Sequence, residues 1–562
     1  MLSQPHECQD TFRLRVAGLL AVLLLLISSA GVRAQSESPA AQGAAVPDDA
    51  SLERRGAAIG AIRIVPRDIF DKDDPKEDRK VFHLVNRLHR TTRPQVIERQ
   101  LLFRSGDPYS RRVLEESERI LRQDRYLYDA DIRPVRYEDG HVDLEVVTQD
   151  VWTLNVGVGF GHSGGATSTH FQLQDTNLLG TGKSLTLGRE TNVDRSSSLF
   201  RYDDPALLGS RVKLGAIYAD NSDGSSQRLD VEHPFFSLDS RWTAGLTASS
   251  DDRVDALYEL GHVTDRFRHR QDQFEVRGGL SRGLVAGRAR RWTAGFTFQR
   301  DRFAPAEGFA DPAELPGDRT LAYPWIGFDS VEDQYSEVRN MNQLNRTEDL
   351  YLGTHYHLRL GLSSSLWGAD RDAAVLDGTA GTGFRLTSDQ TLVLGSDLSG
   401  RWGRQGPENL RLDGSAQYFW RDFGEHLFFA TLDAALAHDL DPENQLLLGG
   451  DSGLRGYPLR YQDGDGRLLL SLEQRFFTGL YPFHLFHVGA AVFFDAGRTW
   501  ASEGSPEAAG NLGWLRDAGV GLRLSSSRSG LGSVVHIDLA FPLDGDPSIQ
   551  NTQWLVTTKA SF

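Results

Sequence analysis

The sequence is poor in sulfur-containing residues. Its 562 residues include two methionines and a single cysteine, Cys8. One thiol cannot form a disulfide within the chain, which excludes the disulfide-rich class of small secreted proteins. Cys8 also lies in a segment with the pattern of a removable export signal. We therefore expect the mature chain to have neither disulfides nor thiolate chemistry.

Long hydrophobic runs are scarce too. Hydrophobic residues make up 39% of the chain, and the mean hydropathy of −0.39 is too low for a bundle of transmembrane helices. The one dense apolar run, residues 16–30, follows Arg13 and Arg15 and precedes Val32-Arg33-Ala34. This pattern predicts a signal peptide over residues 1–34, cleaved after Ala34. Because Cys8 precedes the apolar run, a lipoprotein anchor is not expected.

Basic charge and metal-binding patterns are also lacking. The net charge is −16, whereas a nucleic acid partner demands a basic surface, so no nucleic acid partner is expected. The pairs His355/His357 and His484/His487 have no third ligand at a suitable spacing. No glycine-rich phosphate loop ends in a lysine. We therefore predict no metal and no cofactor.

The chain after the signal divides into a linker and a small mixed domain. Residues 35–58 are rich in Ala, Ser, Pro and Gln and predict a flexible linker. In residues 59–150, alternation predicts a strand at 59–65, and helical spacing predicts helices near 81–88, from Pro94 to a stop at Gly106, and at 111–121. Ser110 is placed to cap the third helix, and Asp139-Gly140 to turn a hairpin of strands 131–137 and 142–148. This order predicts one small α+β domain.

Residues 151–562 alternate between apolar and polar positions without a convincing helix. The apolar faces include Trp152 to Val158, Leu185 and Leu187, Trp242 to Leu246, Trp292 to Phe298, and Leu350 to Leu360. Strands of about ten residues with loops of unequal length predict an antiparallel transmembrane β-barrel, because lipid tolerates a sheet only when every edge is closed. A soluble β-propeller is the alternative, but no blade motif repeats. The fold class is therefore mainly β.

A glycine-rich loop carries the leading candidate site. It runs Leu448-Gly449-Gly450-Asp451-Ser452-Gly453-Leu454-Arg455-Gly456-Tyr457-Pro458 between two sets of predicted strands. A guanidinium inside a narrow barrel loses much of its water and therefore requires a fixed carboxylate partner. This requirement predicts an acid on a nearby strand, and Asp495 and Glu473 are the candidates. A solvated arginine in a surface hairpin is the alternative.

These motifs resemble the bacterial surface antigen family of outer-membrane proteins, which includes BamA- and TamA-type assembly factors and two-partner-secretion transporters. The resemblance rests on Arg455-Gly456-Tyr457, on Phe493-Phe494-Asp495-Ala496-Gly497, on the turn Asn177-Leu178-Leu179-Gly180-Thr181-Gly182, and on Leu102-Phe103 with Gly106-Asp107 and Tyr109. It implies that residues 59–150 are one POTRA domain and 151–562 an outer-membrane barrel. It also implies that the arginine loop tucks into the lumen, with Gly453 and Gly456 allowing close approach and Tyr457 packing on the wall.

The terminal strand resembles that family, whereas the predicted number of strands differs from it. Trp554, Val556 and Phe562 fall on one face of a terminal strand, which resembles the signal by which outer-membrane proteins are recognised for assembly. Five strands are predicted after the arginine loop, the number in a sixteen-stranded family barrel. Before the loop, alternation predicts fourteen or fifteen strands, whereas the family has eleven. We expect sixteen strands, with up to about twenty left open.

The resemblance implies a function in inserting or translocating proteins at the bacterial outer membrane, with the N-terminal domain in the periplasm. The implied partners are outer-membrane lipid, an unfolded or β-rich client held by the POTRA domain, and the assembly machinery that inserts the barrel. A folded spacer is the alternative for residues 59–150, and a passive or gated channel plugged by its inner loop is the alternative for the barrel. A serine esterase carried on the barrel is the second alternative, because Ser163 in Gly161-His162-Ser163-Gly164-Gly165 fits a nucleophile elbow. That motif needs a following helix, whereas alternating β-branched residues follow here, so we expect no enzyme activity.

Overall fold

A computed structural model describes residues 46–562 except 71–74, 76–79, 310–311, 313–314, 422–425, 502–512, 527, 530–533, 548 and 560. The predicted signal peptide, with Cys8, and residues 35–45 of the predicted linker lie outside the described residues. No described helix is both long enough and apolar enough to cross a membrane.

The N-terminal domain is a three-stranded sheet covered by helices. Its elements are α1 (Asp49–Arg54), β1 (Ala58–Arg67), α2 (Lys80–Leu88), α3 (Pro94–Glu98), α4 (Arg111–Arg122), β2 (Leu127–Glu138) and β3 (His141–Asp150). The sheet order is β1-β3-β2, with β1 parallel and β2 antiparallel to β3. The hairpin turns at Asp139 and Gly140, whose φ angles are 48° and 78°, as a two-residue hairpin turn of this type requires.

Two local features differ from the sequence expectations. The predicted linker 35–58 is wrong at its end, because α1 begins at Asp49. The Asp48 carboxylate accepts a hydrogen bond of 2.7 Å from the Ser51 N–H, and Leu52 is fully buried, so this segment folds. Ser110 does stand at the N-cap of α4, but its side chain accepts no capping hydrogen bond within the described structure.

The rest of the described chain forms one closed antiparallel barrel with two short accessory hairpins. The barrel strands before the glycine-rich loop are β4 (Leu154–Ser163), β5 (Ala166–Asp175), β6 (Ser184–Thr191), β7 (Ser196–Asp204), β8 (Lys213–Asn221), β9 (Gly224–His233), β10 (Trp242–Glu259), β11 (His262–Val285), β12 (Arg288–Pro305), β13 (Arg319–Glu332), β16 (His355–Ser363), β17 (Ala373–Arg385), β18 (Gln390–Gly403), β19 (Gly406–Trp420) and β20 (His426–His438). Those after it are β23 (Gly466–Phe477), β24 (Phe486–Trp500), β25 (Leu515–Ser526), β26 (Val534–Pro542) and β27 (Gln553–Lys559). The accessory hairpins are β14 (Tyr335–Arg339) with β15 (Thr347–Tyr351), and β21 (Leu446–Leu448) with β22 (Gln462–Gly464).

The mainly β barrel is confirmed, but the favoured strand number is wrong. Among the described residues the barrel has twenty strands, fifteen before the glycine-rich loop and five after it. Alternation predicts five strands after the loop and fourteen or fifteen before it, because each barrel strand must present apolar side chains on its outer face. The family count of sixteen came from resemblance alone, and the middle of the chain departs from that pattern.

The outer face of the barrel is an apolar band. Its exposed members include Val156, Val158, Leu280, Trp292, Ile326 and Leu362. Val158 is 82% exposed and Leu280 is 70% exposed, which would be unfavourable in water over so large a surface but is what lipid requires. The expected alternating set Leu350 to Leu360 does not form one strand. Leu350 lies on β15, which is not a barrel strand.

The N-terminal domain lies across one end of the barrel, called here the near end. The β5–β6 turn at this end contacts it: the Asn177 side-chain amide donates to Thr92 Oγ1 at 2.7 Å, and the Arg93 N–H donates to the Gly180 carbonyl at 3.0 Å. A side chain at Gly180 would collide with the Thr91 carbonyl, 2.6 Å from an ideal Cβ. The turn therefore needs glycine to dock. The opposite end is called the far end.

The domain contains a buried carboxyl whose titration can be tested. Glu118 of α4 is 2% exposed and accepts a 2.7 Å hydrogen bond from the Ile132 N–H. Burial raises the pKa of Glu118 to about 7, against the lowering effect of that hydrogen bond and of Arg111. Because the folded state binds this proton more tightly than the unfolded state, the associated stability is complete below about pH 4.5 and is lost as the pH rises through about 7.

We predict that Glu118→Gln removes this pH dependence. The amide keeps an acceptor for the Ile132 N–H but has no charge to bury, so the variant should gain roughly 1–3 kcal/mol over the parent at pH 8 and little at pH 4.5. The measurement is hydrogen exchange of the β2 amides in the full chain, corrected for intrinsic rates. Glu115→Gln, a half-exposed position of α4 that pairs with Arg111 at 2.9 Å, is the control, and its small effect should be the same at both pH values. An unchanged pH trend in Glu118→Gln would contradict the prediction.

Candidate functional site

The glycine-rich loop folds back into the barrel from the far end. It joins β20 to β23, and the short hairpin β21–β22 forms its base. Gly449, Gly450 and Gly453 have φ angles of 132°, 52° and 127°, a region that side chains disfavour. An ideal Cβ on Gly449 would lie 2.5 Å from the Pro458 carbonyl oxygen. These glycines therefore permit the sharp return that carries Arg455 inward.

Arg455 is held by carboxylates of the barrel wall. Its Nε and Nη2 donate to the two oxygens of Asp495 at 2.7 and 2.8 Å, and its Nη1 donates to Glu473 Oε1 at 2.8 Å. Its guanidinium carbon lies 3.4 Å from the centre of the Phe493 ring. The structure thus brings together Arg455 and both acids that the sequence singled out. Arg455 is only 7% exposed, so the solvated-hairpin alternative does not describe it.

The neighbours of Arg455 anchor the rest of the motif. The Gly456 N–H donates to Asp517 Oδ2 at 3.0 Å, and an ideal Cβ on Gly456 would lie 2.7 Å from the Asp517 Cβ. The Tyr457 ring is fully buried, and its hydroxyl lies 2.8 Å from the Arg516 carbonyl oxygen and 3.0 Å from that of Asp544. Glycine at 456 and an aromatic hydroxyl at 457 therefore fit the loop against β25 and the β26–β27 connection.

Sequence reasoning missed the continuation of this ion network. Glu473 Oε2 accepts from Arg475 Nε at 3.0 Å, and Glu473 Oε1 lies 3.7 Å from Arg523 Nη2. Arg523 also pairs with Asp538, which lies 3.7 Å from Arg455. All of these residues are nearly or fully buried. The sequence did contain a sign of this network. Glu473 and Arg475 are two residues apart on one predicted strand, so their side chains must lie on the same face.

A second insertion closes the barrel from the near end. Residues 333–354, called here the near-end hairpin, connect β13 to β16 and contain β14 and β15. Met341 packs with Phe419, Leu427 and Phe429, and Leu344 packs with Ala491 and Val534. The Met341 carbonyl accepts a 2.9 Å hydrogen bond from Arg475 Nη1. The near-end hairpin and the glycine-rich loop are therefore joined through Arg475 and Glu473.

The near-end hairpin is also tied to the N-terminal domain. Arg122 of α4 donates to the two oxygens of Asp349 at 2.6 and 2.8 Å and to Glu337 at 2.8 Å. The Tyr128 hydroxyl donates to the Asn345 carbonyl at 2.8 Å. Any displacement of the near-end hairpin must therefore disturb α4 or β2 of the domain.

The barrel closes at a weak seam between its first and last strands. Among the described residues, a single paired position, Val556 opposite His162, joins β27 to β4, whereas β27 pairs along its whole length with β26. The Trp554 ring stacks on the His162 ring at 4.4 Å between centroids and on the Phe160 ring at 5.8 Å. Aromatic stacking thus covers the seam where backbone pairing is sparse.

The expected common face of the last strand is wrong at its end. Trp554 is 46% exposed on the outer face, but Phe562 is 3% exposed. Strand β27 ends at Lys559, and the Phe562 ring then packs on Phe477 at 5.0 Å. The Phe562 N–H donates to the carbonyl of Asn342 in the near-end hairpin at 2.6 Å. The terminal aromatic residue is therefore part of the near-end closure.

Ser163 lies at the far-end turn between β4 and β5. Strand β5 follows it, where a nucleophile elbow would need a helix. Its Oγ is buried and contacts no hydrogen-bond partner among the described residues. The same turn touches the glycine-rich loop, since the Leu459 N–H donates to the Gly164 carbonyl at 3.3 Å.

A closed barrel with an apolar outer band and a buried lumenal loop is the architecture of an outer-membrane protein. Residues 177–556 match the Omp85 superfamily domain. The match covers more than half of the chain, which therefore belongs to the Omp85 superfamily. It is a protein of the bacterial outer membrane, with its N-terminal domain and the near end in the periplasm.

Other comparisons give more distant likenesses. A Treponema pallidum (strain Nichols) protein named as an outer membrane protein assembly factor is 27% identical over 148 residues, which are 25% of this chain and 18% of that protein. BamA from Haemophilus ducreyi lacking POTRA domains 1–3 is 14% identical, with 89% of this chain and 85% of that chain covered and a TM-score of 0.38. CdiB from Escherichia coli is 13% identical, with 90% and 76% covered and a TM-score of 0.49. CdiB from Acinetobacter baumannii is 11% identical, with 99% of both chains covered and a TM-score of 0.42.

We predict that Arg455→Ala lowers the stability of the barrel. Removal of the guanidinium leaves the buried Asp495 and Glu473 without their shared partner, a change that costs about 3–5 kcal/mol. The stability of Arg455→Lys should lie between that of the parent and that of Arg455→Ala, because an ammonium cannot form the two-pronged contact with Asp495. The measurement is the temperature at which the barrel loses its compact mobility in detergent electrophoresis. Arg404→Ala, in an exposed far-end turn, is the control, and an equal transition temperature for all four proteins would contradict the prediction.

Proposed function

We propose that this protein inserts client proteins into the outer membrane by opening its β4–β27 seam. The observation that carries the proposal is the contrast between a seam with one paired position and a lumen filled from both ends. A client that used the lumen would have to displace a buried ion network and the near-end hairpin. A client that used the seam would have to break little more than the pairing of Val556 with His162.

The N-terminal domain supplies an edge on which a client strand could be held. The edge of β2 is occupied by side chains of α4: Arg122 Nη1 donates to the Ala130 carbonyl at 3.1 Å, and Glu118 and Arg111 bond the Ile132 N–H and carbonyl at 2.7 and 3.2 Å. The outer edge of β1 beyond Ala61 meets no strand in the described part of the chain. Strand addition on β1 is therefore the favoured mode of client capture.

The passive channel is the second candidate function, because both insertions lie where a pore would run. The same geometry supports a barrel that is closed at rest, because Glu473 holds Arg455 of the glycine-rich loop and Arg475 holds the Met341 carbonyl of the near-end hairpin.

We also propose that the chain is not an esterase. The support is the strand that follows Ser163, and hydrolysis by the parent that is lost in Ser163→Ala would overturn this view.

We predict that locking the seam stops insertion. His162→Cys with Val556→Cys, in a Cys8→Ser background, places two thiols at directly opposed positions of neighbouring strands, within reach of a disulfide. Oxidation should reduce the folding of an eight-stranded outer-membrane client into liposomes to the rate without this protein, and reduction should restore it. The matched control is Ile537→Cys with Val556→Cys, which ties β26 to β27 and leaves the seam free.

The outcome separates the candidates. Full insertion activity in the oxidised seam variant would exclude the seam as the route. Sizeable ionic current in planar bilayers that persists in the oxidised form and rises in Arg455→Ala, with no client folding at any stage, would favour the channel.

We predict that client contacts fall on β1 and not on β2. Arg63 and Arg133 are matched exposed positions, because both side chains reach Glu145 from neighbouring strands. A photo-crosslinking residue at 63 should capture unfolded client during insertion, whereas the same residue at 133 should capture about tenfold less, since the α4 side chains block strand addition there. Equal capture at both positions would contradict strand addition on β1.

A further inference from the structure

A cavity of about 590 Å³ lies where the N-terminal domain meets the periplasmic rim of the barrel. Its walls come from α3 and α4 on one side and from the β5–β6 and β7–β8 turns on the other. Five of its lining residues are basic: Arg93, Arg99, Lys183, Arg211 and Lys213. The acidic ones are Asp124 and Asp204. The cavity is therefore a concentrated positive site on a chain whose net charge is −16.

The acids of the cavity leave most of this charge uncompensated. Asp204 pairs with Lys183 at 3.0 Å, and Asp124 accepts hydrogen bonds of 2.6 Å from Gln100 and Tyr126 within the domain. Arg93 and Arg99 are exposed, and no described carboxylate lies within 4.0 Å of either guanidinium. Two arginines without a partner that face one cavity are a suitable receptor for a phosphate group.

The cavity also has an apolar rim of an unusual kind. The two barrel turns that border it share the sequence Leu-Leu-Gly, at 178–180 and 207–209. In each turn the second leucine adopts a left-handed backbone conformation, with φ of 54° at Leu179 and 52° at Leu208. Non-glycine residues rarely adopt this conformation. Leu179 is 63% exposed and Leu208 is 97% exposed, so the strained conformation presents two leucines outward and does not bury them.

The position of these leucines relates them to the membrane. They follow β5 and β7, whose outward-facing residues Leu173 and Phe200 belong to the apolar outer face of the barrel. The turns therefore stand at the periplasmic border of the lipid-facing surface. Gly209, with φ of 78°, lies directly against Arg99, whose guanidinium is 3.3 Å from an ideal Cβ at that position. The cationic and apolar parts of the site are thus in contact.

We propose that this cavity binds the phosphate of an anionic phospholipid from the periplasm-facing leaflet. Arg93 and Arg99 receive the phosphate from the domain side, Lys213 adds positive charge from the barrel side, and Leu179 and Leu208 contact the acyl chains at the leaflet surface. The bound lipid links the domain to the β5–β6 and β7–β8 turns of the barrel. This role is independent of the proposed insertion route, since it needs neither an open seam nor a client.

The test is native mass spectrometry of the full chain in detergent with added phosphatidylglycerol. Each cation near a lipid surface contributes a factor of about five in affinity, so Arg93→Gln with Arg99→Gln should weaken binding by about thirtyfold. The matched control is Arg136→Gln with Arg404→Gln, which removes the same charge from exposed sites elsewhere and should leave binding within twofold of the parent. Equal binding by the parent and the Arg93/Arg99 variant would overturn the proposal.

Two further arms separate a lipid from a soluble anion. Phosphatidylcholine should bind at least tenfold more weakly than phosphatidylglycerol, and soluble glycerophosphate should not displace the lipid at equal concentration. Leu208→Ser should weaken lipid binding without changing the melting temperature of the barrel. Displacement by glycerophosphate, together with unchanged lipid binding in Leu208→Ser, would show an anion site without a lipid and would overturn the proposal.

Discussion

The burial of one guanidinium is the interaction on which the architecture depends. Arg455 loses nearly all of its water inside the lumen, and that loss is offset only because Asp495 meets it in a two-pronged contact and Glu473 takes its remaining end. These carboxylates come from neighbouring strands, β23 and β24, so they are in place only when the barrel wall has formed. The glycine-rich loop can therefore reach its final position only after β23 and β24 have paired.

The same contacts couple the two insertions that fill the lumen. Glu473 accepts from Arg455 of the loop on one oxygen and from Arg475 on the other, and Arg475 in turn binds the Met341 carbonyl of the near-end hairpin. Withdrawal of either insertion would leave a buried charge with one partner fewer. The near-end hairpin also holds Arg122 of the N-terminal domain. A movement of the domain in the periplasm is thereby connected, through fixed polar contacts, to a loop that enters from the opposite end.

Some features of the fold and of the candidate site were predictable from the sequence and others were not. The pairing of Arg455 with Asp495 was predictable, because a buried cation demands an acid and the resemblance of residues 493–497 to a family strand pointed to Asp495. Alternation alone predicts nineteen or twenty strands, but the resemblance to smaller family barrels favoured sixteen. The near-end hairpin was not predictable, since Leu350 and Leu358 continue one alternating pattern although one lies on the hairpin and the other on β16. Phe562 was misplaced because periodicity cannot show where a terminal segment leaves its strand.

The seam can be weak without being open, and this distinction bears on the proposed insertion. Each unpaired backbone group exposed to hydrocarbon costs several kcal/mol, so the edges of β4 and β27, which the structure pairs at one position, favour any strand that can pair with them. A client strand offers the same hydrogen-bonding groups as the strand that it separates from its neighbour. A client strand that pairs with β4 and β27 then adds backbone hydrogen bonds, and it has to break only the single paired position and the stacking of Trp554 on His162 and Phe160. The proposed route therefore requires a β-strand in the client, because ions and lipid tails offer no backbone groups that could pair with β4 and β27.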